Sequence, residues 1–171
     1  MFKRITLVLV AVAVALLSSA TAGALTQPDL NEQDREFLRK AHRSNLAEIQ
    51  AGQAAQEKGA SATVRDLGAK IVTDHTKLDS DLRRVAEQVG VDLPKRPSAD
   101  QRRELEQVTA QSGEDFDRAW LAAQIAGHHR SLANGAEELQ EGSSSEVKQL
   151  ARDARPIVQT HLDMLQKASG G

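Results

Sequence analysis

Val64, Leu67, Ile71, His75, Leu78, Leu82, Val85 and Val89 follow one another at three- and four-residue spacing without a break. That period puts all eight side chains on one face of an α-helix and does not fit the two-residue alternation of a strand. A helix with one continuous apolar stripe must bury it against other elements, so the chain has to fold by helix packing. The composition supplies only helices as partners. Ala, Leu, Gln, Glu, Arg and Lys dominate, and the aromatic residues are Phe2, Phe37, Phe116 and Trp120 alone. A sheet of this size would draw on more aromatic and β-branched residues.

The remaining helices are read from their punctuation. A first helix is predicted from about Glu32 to Lys58, with Asn31 as cap, Asp34 reaching back, and Gly59 as stop. The second starts after Ser61 and runs to about Val89, with Gly90 ending it. Pro94 and Pro97 exclude a continuous helix over residues 91–99. Ser98 with Gln101 forms a second capping box, opening a short helix to about Gln111. A long helix from about Glu114 to Glu141 follows, then a turn and cap over residues 142–146, then a last helix to about Ala168. Two short links make antiparallel hairpins, and the middle link is long. The expected fold is therefore all-α: a ferritin-like four-helix bundle of two hairpins joined by a long crossover that contains a short helix.

The first 24 residues have the three parts of a secretory signal. Lys3 and Arg4 precede an apolar run from Ile5 to Leu17, and Ala22-Gly23-Ala24 or Ala20-Thr21-Ala22 offers a cleavage site. The apolar run is short for a membrane span, although extension through Ala24 would allow an uncleaved anchor. The organisation expected is a signal peptide over 1–24, a linker over 25–31, the bundle over 32–168 and a tail over 169–171. The expected location is the periplasm, the cell envelope or the medium.

Cysteine is absent, which excludes disulfides, thiolate metal sites and a thiol nucleophile. The net charge of −2 and the lack of a basic stripe with interleaved aromatics argue against nucleic acid. A cell-envelope partner remains open. No nucleophile elbow, phosphate loop, dinucleotide fingerprint or H-E-x-x-H is present. Adjacent acids such as Glu137-Glu138 read as solvated helix surface.

The informative residues are the polar ones on the apolar stripes. His75 interrupts the second helix, and His161 lies on Val147, Leu150, Ala154, Ile157, His161, Leu165. His128 lies on Leu121, Ile125, His128, Leu132, Leu139, with His129 about 100° round the helix. On the first helix Asn45 and Glu48 share a face with Leu38, Ala41 and Gly52, while His42 falls on the flank, where solvent is expected. Folding the two hairpins about their turns brings His75 level with Asn45, and His128 within a turn of His161. Two readings follow. The residues form a buried hydrogen-bonded belt in an otherwise structural, non-enzymatic protein. Alternatively, Glu48, His75, His128 and His161 bind Zn²⁺, Cu²⁺ or Fe²⁺, with Asn45, Asp74 and Asp117 orienting the imidazoles. A small-molecule cavity is a third reading. Met164, three residues past His161, would favour copper if it joined them. Pro156 removes a bond inside the last helix and is expected to kink it one turn before His161.

Several short strings occur in order: Phe37-Leu38, Asn45-Leu46-Ala47-Glu48, Asp74-His75, Leu93-Pro94, Phe116-Asp117-Arg118-Ala119-Trp120-Leu121, His128, Pro156 and His161-Leu162. Together they resemble the domain of unknown function 4142 family over about Glu32 to Gln166. The resemblance implies an exported bacterial protein with a ferritin-like bundle, and no established activity. Trp120 stands where the family more often has Tyr. Ordinary di-iron chemistry is disfavoured, because it needs Glu three residues before two of the His. Those positions hold Val72, Ile125, Ala126 and Val158.

Overall fold

The computed structural model describes residues 30–170. The signal segment, most of the linker and the last residue lie outside them. The described residues form five helices: α1 (Glu32–Lys58), α2 (Ala62–Gln88), α3 (Ala99–Thr109), α4 (Gly113–Glu141) and α5 (Ser145–Ala168). Both anticipated capping boxes are present, Asn31 with Asp34 and Ser98 with Gln101. Gly90 takes the left-handed conformation (φ 70°) after the α2 C-cap, which lets Val91 N–H bond back to the carbonyl of Ala86.

The long helices form two antiparallel hairpins, α1–α2 and α4–α5, with α1 beside α4 and α2 beside α5. The crossover, residues 89–112, runs the length of the bundle, so that α2 and α4 point the same way. Its helix α3 lies against α1 and α4. This is the ferritin-like arrangement. Among the described residues, no helix is long and apolar enough to cross a membrane.

Two glycines set the α1–α2 spacing. A Cβ on Gly52 would stand 2.7 Å from the carbonyl oxygen of Gly68, and a Cβ on Gly68 would stand 2.7 Å from that of Gly52. The two backbones therefore touch, and only hydrogen atoms fit between them.

The core consists of two apolar clusters, one towards each end of the bundle. One joins Phe37, Leu38, Leu82, Val85, Val89 and Val147 with their neighbours. The other joins Val64, Leu67, Ile71, Phe116, Trp120 and Leu165 with theirs. The indole N–H of Trp120 donates to the carbonyl of Ala51 at 2.9 Å, so its polar atom is satisfied within the core. The α2 stripe is buried as expected, with Leu78 only half-buried. On α5 the buried line is rotated: Ala151, Val158 and Leu162 are buried, while Leu150, Ala154 and Ile157 are half-buried. Helix α5 continues through Pro156, which faces solvent.

Two expectations about polar residues require correction. His42 is buried, not solvated. Its Nδ1 lies 2.6 Å from Asp79 Oδ1 and its Nε2 lies 2.9 Å from the carbonyl of Pro94, so it pins the start of the crossover to α1 and α2. Glu138 is not helix surface either. It is fully buried, and a Cβ on Gly142 would collide with its carboxyl group. Asp34 sits beside it, accepting hydrogen bonds from the backbone N–H groups of Asn31, Ser143 and Ser144. The Asp34 carboxylate thus ties the start of α1 to the α4–α5 turn. Burial works against its charge, but a hydrogen bond from the Ser143 hydroxyl together with these backbone bonds holds it below the usual carboxylate range. Burial first, then the neighbouring Asp34, pushes Glu138 up to about 8. Gln33 from α1 and Lys148 from α5 face it with the opposite effect.

A carboxyl with a raised folded-state pKa binds its proton more tightly when folded. Its contribution to stability is therefore full below about 4.5 and is lost as pH rises through about 8. Glu138→Gln keeps the neutral shape without the proton. Urea denaturation of this variant should show a shallower loss of stability between pH 5 and pH 9 than the wild type. Parallel pH profiles for the two proteins would refute the assignment.

Candidate metal centre

Three imidazoles meet between the two apolar clusters, each carried at mid-helix by a different element. His75 comes from α2, His128 from α4 and His161 from α5, and all are essentially without solvent exposure. Their ring centroids are 5.4 to 5.6 Å apart. One ring nitrogen of each lies within 4.8 Å of the other two.

The outer nitrogen of every ring is held by an oxygen. His75 Nδ1 lies 2.9 Å from Asn45 Oδ1 on α1. His128 Nδ1 lies 2.9 Å from the backbone carbonyl of Gln124, one turn back on α4. His161 Nε2 lies 2.7 Å from Asp74 Oδ2 on α2. A carbonyl and a carboxylate can only accept, so these nitrogens carry the protons. Asp74 is an ionised acceptor: hydrogen bonds from Lys70 and His161 outweigh its desolvation and hold it below its usual range.

The inner nitrogens are then His75 Nε2, His128 Nε2 and His161 Nδ1, each with a bare lone pair. His128 Nε2 and His161 Nδ1 are 3.3 Å apart. With neutral rings in these tautomers no proton lies between them, and the contact is not a hydrogen bond. His75 Nε2 is buried and has no partner. Protonation does not relieve the crowding near neutral pH. Burial, then the neighbouring His charges, depresses His75 to about 3. Burial lowers His128 to about 4 and also lowers His161.

Such a set of lone pairs could hold a metal ion. Imidazole nitrogens about 2.0–2.1 Å from a tetrahedral ion stand about 3.3 Å from one another. The His128–His161 separation already has that value. The widest pair would close by about 1.5 Å. Outer-nitrogen acceptors are the usual companions of metal-ligating imidazoles, because they fix tautomer and ring orientation.

The structure brings His75, His128 and His161 together, with Asn45 and Asp74 in the orienting roles expected of them. Two residues stand elsewhere. Glu48 does not join the converging atoms. Its Oε1 is 3.8 Å from His128 Nδ1, the nitrogen that points away from the other rings. Its carboxyl occupies a notch under α3 that exists because residue 127 is glycine: a Cβ there would lie 2.9 Å from Glu48 Oε1. Burial pushes Glu48 up to about 8. Asp117 does not orient an imidazole. It accepts from the backbone N–H groups of Ala60 and Ser61 at 2.8 Å each, closing the α1–α2 turn. It lies about 16 Å along α4 from His128. His129 is exposed, and Met164 packs with the apolar cluster that contains Phe116 and Trp120. The contribution of Gln124 was invisible in sequence, because it is made by a backbone carbonyl that any residue would offer.

A family model described as Domain of unknown function (DUF4142) matches residues 19–168, and the chain belongs to that family. The crystal structure of a DUF305 fragment from Deinococcus radiodurans is similar in fold, with a TM-score of 0.74 at 17% identity. The match covers 84% of this chain and 99% of that one. No curated protein matches.

The assigned tautomers are measurable. Long-range ¹H–¹⁵N spectra of metal-free protein at pH 7 should show His75 and His128 as Nδ1–H and His161 as Nε2–H. His75 and His128 should remain neutral down to pH 5. Imidazolium signals from either at pH 6 would contradict the assignment.

Proposed function

We propose that this bundle binds one divalent transition-metal ion through His75, His128 and His161. The observation that carries the reading is the 3.3 Å contact between two unprotonated ring nitrogens, with a third unpartnered imidazole nitrogen beside them. A purely structural belt would place a proton between neighbouring rings, and the acceptors on the outer nitrogens leave none to place there. The donor set is three neutral imidazoles without a carboxylate. It suits Zn²⁺ or Cu²⁺ better than Fe²⁺, whose sites commonly include carboxylate ligands. The Lys3-Arg4 segment, the apolar run and the small residues that follow support export. The metal reading is therefore of an envelope or secreted metal-binding protein.

Isothermal titration of untagged protein with Zn²⁺ and Cu²⁺ tests this reading. One equivalent should bind, and saturation at a hundredfold excess over Kd should stabilise the fold by about 2.7 kcal/mol. His128→Ala and His161→Ala should abolish stoichiometric binding. Asp74→Asn should weaken it by about 10–100-fold through loss of the orienting carboxylate. Unchanged affinity in both His variants, or no binding by the wild type, would refute the reading.

A further inference from the structure

The three imidazoles have unlike surroundings above and below. One turn towards the α1–α2 turn lie Ile71 and Leu165, both in the closely packed cluster around Trp120. One turn the other way lie Leu78 on α2, Leu132 on α4 and Val158 on α5, and these three line a cavity of about 190 Å³. His75 and Asn45 also line it. The cavity thus abuts the imidazole layer at His75.

The cavity exists because α4 and α5 present small residues there. Gly135 and Ala154 line it, and a Cβ on Gly135 would meet nothing within 4 Å. Two buried polar atoms among its lining residues have no partner: His75 Nε2 and Asn134 Oδ1. Among its lining residues Arg84, Asp153 and Arg155 are exposed and Asp81 is half-buried, two positive charges and two negative ones, with Arg84 paired to Asp81.

We infer that the metal held by the three imidazoles keeps one coordination position open towards this cavity, and that the position takes a small neutral donor molecule of single-ring size. The inference rests on the metal reading above and adds the ligand class. Three protein donors with a free fourth position is the pattern of an open zinc site. The size follows from the volume, since an apolar cavity of about 150 Å³ accommodates a benzene-sized molecule. Neutrality follows from the balanced charges among the lining residues and the apolar walls, which would penalise an ion. The lone pair of such a ligand would go to the metal. An N–H or O–H at its far end would satisfy Asn134 Oδ1, which lies about 9 Å along α4 from His128.

Co²⁺-loaded protein tests this with imidazole as the probe, because the visible bands of Co²⁺ report a new ligand. Co²⁺ should first bind with 1:1 stoichiometry. Imidazole should then shift the bands saturably, with Co²⁺ still on the protein after gel filtration. Gly135→Leu and Ala154→Phe fill the cavity from two different helices. Each should weaken imidazole binding by about tenfold or more, with Co²⁺ affinity within about threefold of wild type. A loaded protein whose bands ignore imidazole overturns the open position. So do cavity-filled variants that bind imidazole like wild type, or cobalt stripped off by the probe. Failure to bind Co²⁺ at all appears before imidazole is added and refutes the metal reading itself.

Discussion

Each of three buried imidazoles is held by an oxygen acceptor on its outer nitrogen, and the rest of the site follows from that. Asn45, Asp74 and the Gln124 carbonyl fix where the protons are. The lone pairs are thereby forced inward, where they crowd one another. Burial then keeps the rings from relieving the crowding by protonation. The acceptors come from α1, α2 and α4, and the rings from α2, α4 and α5. Both hairpins must therefore be in register before the arrangement exists, and the site tests the assembly of the whole bundle.

The bundle accommodates this polar layer by placing it between two apolar clusters. Burial of Leu, Val and Ile towards the ends, with Phe116 and Trp120 at one of them, supplies the main driving force for folding. The middle comes at some cost in stability, because desolvated imidazoles with unpartnered inner nitrogens gain little. Contacts elsewhere hold the layer in place. The Gly52–Gly68 contact fixes the distance between α1 and α2. Asp117 closes the turn between them, and Asp34 fastens the start of α1 to the α4–α5 turn. His42 with Asp79 anchors the crossover.

Much of this was legible in the sequence, for identifiable reasons. Helix limits followed from capping residues, whose effect is local. The levels of His75, His128 and His161 followed from counting 1.5 Å per residue away from two short turns. The pairing of His75 with Asn45 follows from the same count. What sequence missed depends on helix rotation, which a stripe leaves uncertain by about one residue. Glu48 shares a face with Asn45, yet it points to α4 and the space left by Gly127. Glu138 reads as surface beside Glu137, yet it is the member turned towards Asp34. His42 reads as flank because the crossover that covers it has no periodicity to reveal its path. Asp117 is polar on an inner stripe for a reason unrelated to the imidazoles: it satisfies two backbone N–H groups at a turn.

The proposal is that these three rings, without Glu48, form a metal's protein ligands. X-ray absorption at the zinc edge of protein loaded with one equivalent of Zn²⁺ tests it most directly. The spectrum should show the multiple-scattering pattern of three imidazoles with Zn–N distances of about 2.0–2.1 Å. Glu48→Gln should leave it unchanged. A first shell dominated by oxygen, with one imidazole or none, would contradict it.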